Sequence, residues 1–118
     1  MTINRSKAID VITKSISEKH PDWELLDACS FDQEFQLVYR YHNEIRFVKV
    51  IPNDDYNDRV YPEEPEITKE YRKAIEYAFL DWLIDAEIGD VHIAFDIACV
   101  LLKPSGNHPV KYHYSALS

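Results

Sequence analysis

Glycine, cysteine and methionine are scarce in this chain, and their scarcity excludes several kinds of site. The 118 residues include two glycines, two cysteines and one methionine. So few glycines argue against the backbone loops that cradle nucleotide phosphates. Cys29 and Cys99 lie far apart and form no Cys-x-x-Cys pattern, so thiolates alone cannot supply the four ligands of a structural zinc site. We interpret both as free thiols in a reducing compartment.

Long apolar runs are also missing. No stretch reaches membrane-spanning length, and the first ten residues are polar, unlike a secretion signal. We therefore expect a cytoplasmic protein with no membrane partner and no small-molecule cofactor. A hydrophobic content of 46% over 118 residues, without internal repeats, predicts a single domain spanning residues 1–118.

The charge is acidic and unevenly distributed. The net charge is −8, and residues 53–90 hold twelve acids and four bases, which leaves the remainder neutral. Such a surface disfavours nonspecific binding to nucleic acid and favours a basic protein as partner. A local basic strip could still contact nucleic acid, and the best candidates are Arg5, Lys7, Lys14 and Lys19 near the N-terminus. The partner is therefore expected to be nucleic acid or a basic protein.

Hydrophobic periodicity predicts two helices and five strands in the order α-β-β-β-α-β-β. The helices are expected over residues 4–19 and from Ile67 onward, where apolar residues recur at helical spacing. Residues 52–66, with three prolines and several carboxylates, are predicted to be a loop. The fold class is α/β, with a hairpin-containing sheet between two helices. Alternation and turn residues place the strands at 23–31, 34–41, 44–52, 91–102 and 110–114.

Lys49 is an anomaly in the third predicted strand. Ile45, Phe47 and Ile51 alternate onto one face of this strand, and Lys49 shares that face. An apolar strand normally admits a charge when a partner or a site requires it. Lys49 therefore marks a candidate site.

The order of these segments resembles the small YraN family of nuclease-like proteins, which has the restriction-endonuclease-like fold. The resemblance covers nearly the whole chain, including Phe47-Val48-Lys49-Val50-Ile51 where the family has Phe-Val-Glu-Val-Lys. It implies a central mixed β-sheet flanked by helices. It also implies an Asp and a Glu that hold Mg²⁺, and a Lys two residues after the Glu that positions the attacking water. The matching segments are 22–26, 33–38, 47–51, 94–98 and 116–117.

The chain departs from the family at the catalytic positions. Gln36 stands where the family has the metal-binding Asp, Lys49 where it has the Glu, and Ile51 where it has the Lys. A neutral amide and a cation are poor substitutes for two metal-binding carboxylates. We therefore expect a catalytically inactive, nuclease-like binding or scaffold protein with no metal, which uses the inherited surface for a partner.

An alternative is a residual metal-dependent nuclease acting on DNA. It would use Glu34, Asp96 and Lys49 in shifted roles and would require Mg²⁺ or Mn²⁺. Lys49 has further interpretations: it could pair with an acid such as Glu34, reach water at the open end of the sheet, or contact a phosphate together with Arg5, Lys7 and Lys14. A last interpretation is that the alignment to the family is wrong and that this strand belongs to another type of α/β domain.

Overall fold

The computed structural model describes residues 4–54 and 66–117 and has an α/β fold with two helices and one five-stranded mixed sheet. The predicted α/β class, with a mixed sheet and two helices, is therefore confirmed. Most of the predicted 52–66 loop lies outside the described residues. The elements are α1 (Arg5–Lys19), β1 (Glu24–Ala28), β2 (Leu37–Tyr41), β3 (Glu44–Asp54), α2 (Lys69–Asp85), β4 (His92–Leu102) and β5 (Val110–His113).

The strands follow one another across the sheet in the order β1-β2-β3-β4-β5. β3 and β4 are parallel, and the other three pairs are antiparallel. β2 and β3 form the predicted hairpin around His42 and Asn43. In this turn His42 adopts the left-handed conformation, with φ of 53°. The parallel neighbours β3 and β4 need a crossover, which contains α2.

The two helices cover opposite faces of the sheet. Because side chains alternate along a strand, β3 sends Val48 and Val50 to the α1 face and Ile45 and Phe47 to the α2 face. β4 contributes buried apolar residues to both faces, as its unbroken apolar sequence predicts. The result is a three-layer structure with two separate hydrophobic cores.

Each helix begins at a capping side chain. The Asn4 side chain accepts a hydrogen bond of 2.9 Å from the Lys7 amide, and the Thr68 hydroxyl accepts one of 3.1 Å from the Tyr71 amide. These bonds satisfy amide donors that have no partner within the first helical turn. Neither helix of the described chain is long and apolar enough to cross a membrane.

Candidate functional site

Gln36, at the position where the resemblance implies a metal-binding Asp, is a structural residue. Its side chain is buried, and its Oε1 accepts a 2.8 Å hydrogen bond from the Val50 amide. Its Nε2 donates to the carbonyl oxygens of Gln33 at 2.9 Å and Ser30 at 3.4 Å. The amide thus connects the segment before β2 to β3. Because both ends of the amide are engaged inside the fold, Gln36 cannot offer its carbonyl to a metal.

Lys49 lies on the α2 face, as the alternation predicts. Its ammonium lies 5.9 Å from the centre of the Tyr71 ring in α2, and its side chain is half-buried. Burial and, secondly, the nearby Glu34 carboxylate raise the pKa of Tyr71. Lys49 and Glu34 are therefore both near Tyr71, although no ion pair of Lys49 occurs among the described residues. Ile51 packs against the core on this face.

Asp96 lies on the opposite, α1 face of the sheet. Its side chain has no exposed surface. Its carboxylate oxygens accept hydrogen bonds from Arg46 Nη1 at 2.8 and 3.0 Å, from the Tyr112 hydroxyl at 2.6 Å and from the Ser115 amide at 2.8 Å. With these donors in place, the carboxylate is fully engaged inside the protein. The sheet separates it from Lys49, so the two residues cannot act on one substrate.

Arg46 completes this buried cluster, and the sequence analysis did not single it out. Its Nε donates to Glu44 Oε1 at 2.7 Å, and its guanidinium carbon lies 5.1 Å from the centre of the Trp23 ring. The charges of Asp96 and Glu44 outweigh burial and raise the pKa of Arg46. Burial, with the Asp96 charge second, raises the pKa of Tyr112. The sequence did contain a signal for this cluster, because alternation along β3 puts Arg46 on the same face as two buried valines.

Three of the predicted basic residues share one surface, whereas Arg5 and Lys49 do not. Lys7, Lys14 and Lys19 line a groove of about 600 Å³ between α1 and the β4–β5 connection, together with Asp10 and Glu18. Arg5 lies elsewhere, with its guanidinium carbon 5.1 Å from the centre of the Phe31 ring. Because α1 and Lys49 are on opposite faces of the sheet, Lys49 does not extend this groove.

A second groove is strongly acidic. It lies between α2 and the connection from β1 to β2 and has a volume of about 530 Å³. The small side chains of Ala74 and Ala78 leave this space open along one side of α2. Five carboxylates line the groove, and none of the described Lys, Arg or His residues does. We call it the acidic groove, and its carboxylates are those of Asp27, Asp32, Glu34, Asp81 and Asp85.

One wall of the acidic groove is held in place by Asp27. Its Oδ2 accepts a 2.8 Å hydrogen bond from the Trp82 indole of α2 and a 3.6 Å contact from the Cys29 thiol. Burial, followed by the charge and hydrogen bond of Asp27, raises the pKa of Cys29 to about 11. Cys29 is therefore a protonated, weakly nucleophilic thiol at neutral pH.

Potential metal ligands are dispersed among the described residues. Within residues 4–54 and 66–117, no group of three or more His, Cys, Asp or Glu side chains is placed to hold a metal ion. The acidic groove instead presents spread carboxylates to solvent, an arrangement that attracts cations over several ångströms. Neither a protein-family model nor a curated protein matches this chain.

Proposed function

We propose that this chain is a non-catalytic binding protein with the restriction-endonuclease-like fold, a diverged relative of YraN-like proteins. The element order and the helices on opposite faces of a mixed sheet support this fold. The state of the implied catalytic positions supports the loss of catalysis. Gln36 is engaged in internal hydrogen bonds, and the apolar Ile51 packs against the core.

The partner we propose is a basic segment of another protein, bound in the acidic groove. The observation that carries this proposal is the lining of the groove, in which the described residues contribute five carboxylates and no basic side chain. The combined negative charge of these carboxylates makes the groove attractive to cations. A Lys- or Arg-rich segment would gain this attraction on binding.

Nucleic acid fits the molecule less well. Its binding depends on Lys and Arg that neutralise phosphates. Here the groove that contains Lys7 and Lys14 carries carboxylates too, and Lys49 lies on the other face of the sheet. The acidic groove would repel a phosphate backbone.

The test is a titration of labelled peptides followed by fluorescence anisotropy. The probe is a lysine–serine peptide of about 18 residues, close to the length of α2. We expect binding that weakens from about 50 to about 300 mM salt, because screening shortens the range of the attraction. The Asp81→Asn/Asp85→Asn variant should bind about fivefold more weakly, since it loses two surface charge contacts.

The matched control is Glu87→Gln/Asp90→Asn. It removes the same charge from exposed residues that do not line the acidic groove, and it should bind as the unchanged protein does. Equal weakening by both variants would show that net charge, not the groove, attracts the peptide, and would overturn the proposal. Labelled single-stranded and duplex DNA, with and without Mn²⁺, are titrated in parallel. Salt-sensitive DNA binding that a Lys7→Gln/Lys14→Gln variant abolishes, or cleavage of DNA, would also overturn it.

A further inference from the structure

The solvent side of α2 carries a row of large apolar residues. Tyr77, Leu80 and Ile84 are 67%, 52% and 71% exposed. Their spacing of three and four residues places them on one helix face, opposite the buried positions of the same helix. We call these three residues the apolar row. Exposed apolar residues that occur singly need no explanation, but a row on one face indicates a surface that another molecule covers.

The apolar row is continuous with the acidic groove. Tyr77 belongs to both, because its side chain also lines the groove beside Asp81 and Asp85. After Lys73, α2 contains three acids and no base: Glu76, which pairs with Arg72 at 3.0 Å, and the groove residues Asp81 and Asp85. The last turn of α2 has no basic residue to compensate the negative end of the helix dipole. The C-terminal half of α2 is thus an apolar row beside concentrated negative charge.

This charge decides between two occupants of the row. A second copy of the chain would bind through the same patch on both subunits, as two-fold symmetry requires. That arrangement would bring the acids of both copies together and add repulsion between two molecules of net charge −8. A segment of opposite charge gains from the same groups instead.

We propose that the partner segment is a basic amphipathic helix, whose apolar face covers the apolar row while its lysines or arginines reach into the acidic groove. This inference rests on the proposed function and specifies the partner's form. An amphipathic helix suits the site because its own apolar residues, spaced by three and four, can follow a row with that spacing.

The test compares two peptides of about 18 residues with lysines at the same positions, the length being that of α2. One has leucines at helical spacing between the lysines, and the other has serines there. We expect the leucine peptide to bind more tightly. Ile84→Ser should weaken binding of the leucine peptide about tenfold, as for a central apolar contact, and leave the serine peptide unaffected. The control Leu25→Ser removes an apolar side chain that is 47% exposed on β1 and should change neither affinity.

Equal affinity for the two peptides, or no effect of Ile84→Ser, would overturn the inference. The proposed function would survive that result if Asp81→Asn/Asp85→Asn still weakened binding of the serine peptide, so the two failures are distinguishable. Sedimentation of the protein without peptide tests whether a second copy of the chain covers the apolar row. A dimer that Ile84→Ser converts to a monomer would show that a second copy covers the row, and would overturn the inference too.

Discussion

Replacement of Asp96 by asparagine should be strongly destabilising, although it changes almost no volume. The carboxylate is fully buried and accepts four hydrogen bonds, two of them from Arg46 Nη1. Asparagine keeps one acceptor oxygen but puts an NH₂ group where the other oxygen accepts. One of the groups that now donates to Asp96 would therefore face the NH₂ group, which is itself a donor. The Arg46 charge would also lose its buried partner.

The size of the expected loss of stability depends on the partner that Arg46 keeps. Removing one partner of a buried ion pair costs about 3–5 kcal/mol, because the other charge stays buried and uncompensated. Arg46 is 15% exposed and retains Glu44 at 2.7 Å, so we expect the lower end, about 3 kcal/mol. Against a typical free energy of unfolding of about 5–15 kcal/mol, that is a large fraction. The midpoint of thermal unfolding should fall by about 10 °C.

Urea unfolding followed by circular dichroism measures the effect. We expect a lower midpoint concentration with an unchanged slope, since the same surface is exposed on unfolding. In the Arg46→Met/Asp96→Asn double variant the loss should be smaller than the sum of the single losses, because the only charge left without its partner is Glu44, which is 32% exposed. Asp81→Asn, at an exposed position, is the control and should stay within about 0.5 kcal/mol of the unchanged protein. An equally small change in the stability of Asp96→Asn would refute the reasoning.

Three further predictions concern the remaining buried polar groups. Gln36→Leu should cost about 2–4 kcal/mol in urea unfolding, because it leaves the Val50 amide and nearby carbonyls without their partner; a neutral result would contradict the bonding described. Burial raises the pKa of Tyr39 from 10.0 to about 12, so the fold favours the neutral phenol, and stability should be intact below pH 10 and fall as the pH rises towards 12. In unfolding measurements at alkaline pH, Tyr39→Phe should reduce this loss of stability with rising pH. An unaltered curve would count against the raised pKa of Tyr39. Alkylation of Cys29 by iodoacetamide at pH 8, followed by mass spectrometry, should be at least about tenfold slower than in the urea-unfolded chain; equal rates would disprove the raised pKa.

Features that depend on local spacing were predictable from the sequence. The helical spacing of Ile75, Phe79 and Leu83 correctly identified the buried face of α2, and all three are core residues. The alternation around Lys49 correctly predicted its face, because a strand has a fixed period of two. The same α2 pattern also contained Leu80 and Ile84, but a helix apolar on more than one side does not by itself show which side lacks a partner.

Features that depend on strand register were not predictable in the same way. The Arg46–Asp96 pair joins residues fifty positions apart, and it exists because β3 and β4 are parallel with Val48 opposite Asp96. Neither strand's sequence contains that register. The role of Gln36 was missed for a similar reason. The resemblance marked its position, but its hydrogen bonds to both Val50 and Gln33 depend on how the chain enters β2.

The acidic groups on the two faces of the sheet differ in burial and in pairing, and this difference separates structural from binding groups. On the α1 face, the Asp96 carboxylate is buried with every oxygen engaged by donors of the same chain, so it can add stability but cannot bind anything else. On the α2 face, the acidic groove collects carboxylates at the surface without a cation among its lining residues. A buried charge must be paired for the protein to fold, whereas surface charges can stay uncompensated at a tolerable cost. Charges left in that state on one side of a helix, next to an exposed apolar row, are the groups from which a partner can still gain free energy.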